Sequence, residues 1–193
     1  MAEEKRNKGS LDNLVTDSAG QGKSNYQFEI GQKVVYPAQG VAEIETIENK
    51  TIAGNDISFY VLRVYDTNRK IMVPIRNAQA IGLRALMSEQ EIEQVYTILR
   101  EPAHSFDNQT WNRRYRGFMD KIRTGSMYDV AEVLRDLYCL KKNNYKSLSF
   151  GERRMLDTAR SLIVKEIAMV RNQTEQIIKS GIEAIFCQPD EHF

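Results

Sequence analysis

The side chains best equipped for recognition chemistry stand together in Asn108-Gln109-Thr110-Trp111-Asn112-Arg113-Arg114-Tyr115-Arg116. This stretch holds the single tryptophan of the chain, three arginines and a tyrosine. It begins a helical pattern, and arginines in a first helical turn oppose the helix dipole unless an anion sits beside them. A phosphate would supply that anion, because backbone N–H groups at a helix start already favour one. The same residues also admit a plainer reading. Trp111 shares a helical face with Tyr115, Phe118, Met119 and Ile122, which suits a core position, although a ring in the first turn can project past a bundle. Arg113, Arg114 and Arg116 equally suit a solvated face. A second basic cluster, Lys141-Lys142, Lys146 and Arg153-Arg154, allows the same two readings.

Nothing in the chain points to catalysis. His104 and His192 have no cysteine or carboxylate cluster at metal-ligand spacing. The motifs G-x-x-x-x-G-K-S/T, G-x-G-x-x-G and G-x-S-x-G do not occur. The expectation is a protein that is not an enzyme and uses no metal or cofactor.

Two kinds of element must position these residues. From Phe28 to about Leu83 the pattern is one of short strands: Lys33-Val34-Val35-Tyr36, the alternating run from Val41 to Glu48, Ile57 to Tyr65, and Lys70 to Pro74. Ala53-Gly54-Asn55-Asp56 and Asp66-Thr67-Asn68 are turn signals between them. Short strands joined by tight turns within so few residues suggest a small, bent sheet of the SH3 or Tudor barrel type. After Leu83 the period becomes helical. Ser88-Glu89-Gln90-Glu91 and Ser149-Phe150-Gly151-Glu152 are capping boxes. Thr110 and Ser126 can cap two helices between them, Thr124-Gly125 closes the first of these, and a last helical stretch near Thr174 to Phe186 continues or follows the fourth. The expected class is α+β, a small β-barrel over 26–84 followed by an all-α bundle over 88–186. A disordered polar tail over 1–25 and a short tail over 187–193 flank them.

The 193 residues are 41% hydrophobic, enough for a core, and no apolar run reaches the length of a membrane span. The first 25 residues lack the apolar stretch of a secretory signal. Two distant cysteines, Cys139 and Cys187, read as reduced cytosolic thiols. The net charge is only +1, but residues 100–165 carry 14 Lys/Arg against 8 Asp/Glu. A localised basic excess fits a polyanion partner, and charge alone does not separate that from solvated helix surface.

Several blocks in one order then carry a resemblance. Phe28 to Pro37 with Gly40, Val73-Pro74 with Asn77-Ala78, Trp111-Asn112-Arg113-Arg114-Tyr115, Val130 to Leu137, and Leu148 to Leu156 resemble the CarD/CdnL family of bacterial transcription regulators. The resemblance spans roughly Tyr26 to Val170. It implies a Tudor-like RNA polymerase-interaction domain, shared with transcription-repair coupling factors, and a compact helical DNA-binding domain. It implies that the first domain binds the polymerase β subunit near the short strand, through Met72 and Pro74 with Lys50. A relative has arginine where this chain has Met72, which implies a more apolar contact here. It implies further that Trp111 inserts from the minor groove at the upstream edge of the transcription bubble, while Arg113, Arg114, Arg116, Arg153 and Arg154 hold the DNA backbone. The expected protein is a monomer in solution, cytoplasmic and nucleoid-associated through polymerase, with no membrane partner. It stabilises open promoters. In the alternative reading it is a polymerase-binding adaptor whose helical domain recruits another protein.

Overall fold

The computed structural model describes residues 28–103, 110–143 and 148–187. The expected tail over 1–25, residues 188–193, the loop 104–109, Lys146 and both histidines lie outside the described residues.

Five strands form one antiparallel sheet: β1 (Lys33–Tyr36), β2 (Gly40–Ile52), β3 (Asn55–Val64), β4 (Lys70–Pro74) and β5 (Arg84–Ala85), in spatial order β4-β3-β2-β1-β5. β2 runs past Glu48, where the alternation read from sequence ends, to Ile52. Ala53 (φ 51°) and Gly54 (φ 79°) then reverse the chain as a two-residue turn. Positive φ at both positions matches the right-handed strand twist, so the hairpin closes tightly. A register shift between Ile44 and Thr46 bends β2 and curls the sheet over its core. That core is Phe28, Val34, Ala42, Ile44, Tyr60, Leu62, Val64, Val73, Ala78 and Leu83. The Phe28 N–H donates to the Tyr60 hydroxyl at 3.1 Å, which closes the start of the domain onto β3. β5, only two residues long, has no alternation of its own and was not anticipated.

The helices are α1 (Glu89–Arg100), α2 (Trp111–Thr124), α3 (Met127–Asn143), α4 (Phe150–Arg171) and α5 (Glu175–Cys187). Both capping boxes form: Ser88 with Glu91, and Ser149 with Glu152. Gly125 ends α2 in the left-handed conformation as expected. Thr110 does occupy the N-cap of α2, but its side chain makes no capping bond; its carbonyl accepts from the Arg113 and Arg114 N–H groups. Asn172, at φ 50°, separates α4 from α5 and resolves whether the last helix is a continuation. α5 reaches Cys187, one residue past the expected end of the domain. The central helix α3 buries Val130, Val133, Leu134 and Leu137. It also buries Arg135, whose guanidinium donates to Asp136 at 2.9 Å and reaches Glu101 at the end of α1. The chain is thus α+β, a Tudor-like sheet domain followed by a helical bundle.

The two halves are locked together. α4 packs on β2. Val35 and Val41 alternate away from the sheet core, yet both are buried. The Arg84 side chain in β5 makes two parallel bonds to the Glu166 carboxylate in α4, at 2.7 and 2.8 Å, and a third to the Gly125 carbonyl at 3.0 Å. The Met87 N–H adds a bond to Glu166 at 2.9 Å. Gly125 also has no room for a side chain, because a Cβ there would stand 2.8 Å from Pro37 Cγ of the sheet domain. Glu166 is 1% exposed while Arg84 keeps 27% of its side-chain surface, so removing either partner has unequal consequences. Arg84→Ala strands a buried carboxylate, for which the cost is about 3–5 kcal/mol. Glu166→Ala leaves a guanidinium that water still reaches and should cost less. Urea denaturation of both variants checks this order; equal losses would mean that the carboxylate is rehydrated when the arginine is removed.

Candidate functional site

Two surfaces gather the residues singled out from sequence. The first is the outward face of the sheet at its β4 end. Register places Val61 opposite Met72 and Phe59 opposite Pro74, with Lys50 opposite Ile57 on the neighbouring pair. Period-two alternation therefore puts Lys50, Met72 and Pro74 on one face, the one away from the core residues Tyr60, Leu62 and Val73. The Lys50 ammonium lies 3.3 Å from the Met72 sulfur and 3.3 Å from Glu48. Phe59 and Val61 form a buried floor on the same face, and Met72 is 39% exposed above it. β4 is the outer strand of the sheet, so this patch borders a strand edge without a partner strand among the described residues. Phe59 and Val61 were not singled out from sequence, because which face a strand residue occupies is known only once its pairing is known.

The second surface is the end of the bundle where α2 and α4 begin. Trp111 is the first residue of α2; its side chain lies outside the described part of the structure. Arg113 and Arg116 are exposed on α2, and Arg153 and Arg154 are exposed on the first turn of α4. Arg114 differs from the others. Its side chain is only 16% exposed and donates to Glu152 at 2.8 Å. The anion that a first-turn arginine demands is therefore supplied, for Arg114, by a carboxylate of this chain and not by a bound phosphate. Glu152 closes the α4 capping box as the third residue of the helix, and it also accepts from the Ser149 N–H at 3.0 Å and the Ser149 hydroxyl at 2.8 Å. One carboxylate thus caps α4 and fastens the first turn of α2 beside it. No sign of this second partner is visible in the sequence, where Glu152 is fully accounted for by the capping box.

Much of the basic block is used in the same way. Lys121 pairs with Glu132, Arg135 with Asp136, Arg160 with Asp157 and Glu183, and Lys165 with Asp66 across the domain interface. Arg113, Arg116, Arg153 and Arg154 are exposed at the α2–α4 end, and Arg100, Arg123, Lys141 and Lys142 are exposed elsewhere on the helices. Among the described residues no cluster of His, Cys, Asp or Glu could hold a metal, and no helix is long and apolar enough to cross a membrane. Cys139 and Cys187 are not joined in a disulfide.

A small curled sheet domain is joined to a helical bundle, with an apolar patch on one and a basic end on the other. Residues 28–87 match the CarD-like/TRCF RID domain, and residues 94–183 match the C-terminal domain of CarD. The second match runs through most of α5, further than the resemblance to Val170 read from sequence. The chain is 33% identical over 153 residues to the "Putative transcription factor YdeB" of Bacillus subtilis (strain 168), covering 79% of this chain and 98% of that protein. Two solved N-terminal domains from Myxococcus xanthus are also similar. CdnLNt is 43% identical, with 36% of this chain and 97% of that one covered, at a TM-score of 0.29. The 72-residue N-terminal domain of CarD is 36% identical, with 35% and 93% covered, at a TM-score of 0.28. The chain belongs to the CarD family and is a transcription regulator.

Burial alone would push the Glu152 carboxyl up, but the bonds from Arg114 and Ser149 outweigh it and hold it below the usual carboxylate range. A carboxyl held low in the folded state contributes stability in full above the ordinary carboxylate range and loses it as pH falls through its lowered value. Glu91, held low first by the Ser88 N–H, titrates in the same direction. The difference between wild type and Glu152→Gln therefore isolates the site. Acid unfolding followed by circular dichroism should show a shallower stability loss in the variant below the carboxylate range; parallel curves would remove Glu152 from this role.

Proposed function

We propose that this CarD-family regulator binds the β subunit of RNA polymerase with the outward sheet face and holds promoter DNA open with the α2–α4 end of the bundle. The observation that carries the reading is the pairing of two unlike surfaces on one rigid body. An apolar patch beside a free strand edge suits a protein partner, and β-strand addition is one route by which such edges are used. A cluster of exposed arginines suits phosphate, which gives affinity without reading sequence.

In this reading Lys50, Met72 and Pro74 meet polymerase, with Phe59 and Val61 as the floor that keeps the patch flat. Arg113, Arg116, Arg153 and Arg154 hold the DNA backbone at the upstream edge of the bubble. Arg114 acts through Glu152 and positions the first turn of α2, so that Trp111 stands where it can wedge into the minor groove and oppose reclosure. The small number of exposed cations makes unaided DNA binding weak, and placement on the promoter depends on polymerase. The protein then works in the cytoplasm, where polymerase and the chromosome are.

Two variants test the halves separately. Trp111→Ala should shorten the open-complex lifetime by about tenfold or more, because an unstacked base step costs a few kcal/mol to hold open. An unchanged lifetime in a folded variant would favour an adaptor whose helices recruit a protein. Met72→Glu should abolish capture of the β subunit while the helical signal in circular dichroism is preserved. Capture that survives the charge would displace the contact from this face.

A further inference from the structure

The first turn of α4 contains a side chain that neither its fold nor its cap explains. Phe150 is 75% exposed, the most exposed of the large apolar residues among those described. The capping box runs through Ser149 and Glu152 and does not need it. The apolar residue ahead of the cap that anchors the helix entry, Leu148, is already buried in the bundle core. Leaving a phenylalanine in water forgoes the stabilisation that burying it would give. Three and four residues on, at the spacing that brings side chains onto one helical face, stand Arg153 and Arg154, both exposed. The Arg114–Glu152 bond at 2.8 Å sets this turn beside the first turn of α2, with Arg113 and Arg116.

An exposed ring flanked by guanidinium groups is the combination that binds single-stranded nucleic acid: the ring stacks on an unpaired base while the cations follow the backbone. A protein partner is less well matched, since Arg153 and Arg154 on the same helical face as the ring would have to be neutralised on docking. We propose that Phe150 stacks on an unpaired base of the melted strand, so that the α4 turn contacts single-stranded DNA next to the duplex edge. The inference rests on the helical domain being the DNA-binding half and adds the kind of DNA that its second turn takes.

The test compares two labelled DNAs of equal duplex length, one blunt and one ending in an unpaired fork, titrated at low salt with the full chain and followed by fluorescence anisotropy. Phe150→Ala should weaken fork binding about tenfold, within the usual worth of one stacked base, and leave blunt binding unchanged. Phe150→Trp should retain fork binding, since any flat ring can stack. Equal losses on both DNAs would place Phe150 on duplex, and no loss on either would leave it as a contact for protein; either result overturns the proposal and leaves the DNA-binding reading intact. If wild type binds neither DNA while Trp111→Ala leaves the open complex unchanged, that reading fails and this inference with it. Because the ring is exposed, the variants are expected to fold as wild type does, which circular dichroism verifies.

Discussion

The arrangement of the whole molecule depends on one buried carboxylate. Glu166 lies inside the interface between the sheet domain and α4, where a charge without partners would be strongly unfavourable. Its two oxygens are met by the fork of Arg84 and by the Met87 N–H, three bonds in all. Arg84 belongs to β5 and Met87 to the segment entering α1. The contact therefore fixes the linker between the domains as well as their faces. Pro37 set against Gly82 and Gly125 adds a steric stop at the same junction. A linker of a few residues would otherwise leave the two halves free to swing, and the spacing between the apolar sheet face and the basic end would vary. With the junction locked, that spacing is a property of the fold.

The same device recurs at smaller scale in the bundle. Glu152 caps α4 and receives Arg114 from α2, so two helix starts are brought together by one acidic group. Arg135, buried beside Asp136, ties α3 to the end of α1. Each case spends a basic residue on internal geometry. This is why the charge excess of residues 100–165 overstates the cationic surface.

How much of this was legible in the sequence follows from distance along the chain. The capping boxes at Ser88 and Ser149 and the left-handed Gly125 are local, decided by residues within four positions of one another, and formed where expected; the turn expected over 53–56 tightened to Ala53-Gly54, with Asn55 and Asp56 paired into β3. The Arg84–Glu166 bond joins residues 82 positions apart and Arg114–Glu152 joins residues 38 apart, and no local pattern marks either. Arg114 is the instructive case. Its neighbours Arg113 and Arg116 share its chemistry and its segment, but only a helical rotation and a carboxylate from another helix turn it inward. The sheet face is intermediate. Lys50, Met72 and Pro74 came from resemblance, and their common face follows from period two once the register of β2, β3 and β4 is in hand. β5 is too short to have any period at all.

A rigid body with two weak surfaces has a consequence for how regulation by it must work. Neither surface is large or highly charged, so neither is built to act alone. On the proposed function, where polymerase and promoter are already held together, binding through the first surface makes binding through the second effectively intramolecular. The gain is greatest when the connection does not flex, because no freedom remains to be lost on the second contact. The internal ion pairs and the modest exterior charge are then parts of one design. On the proposed function, cations used to stiffen the frame raise the effective concentration at the basic end, and the few left outside suffice because the frame has placed them.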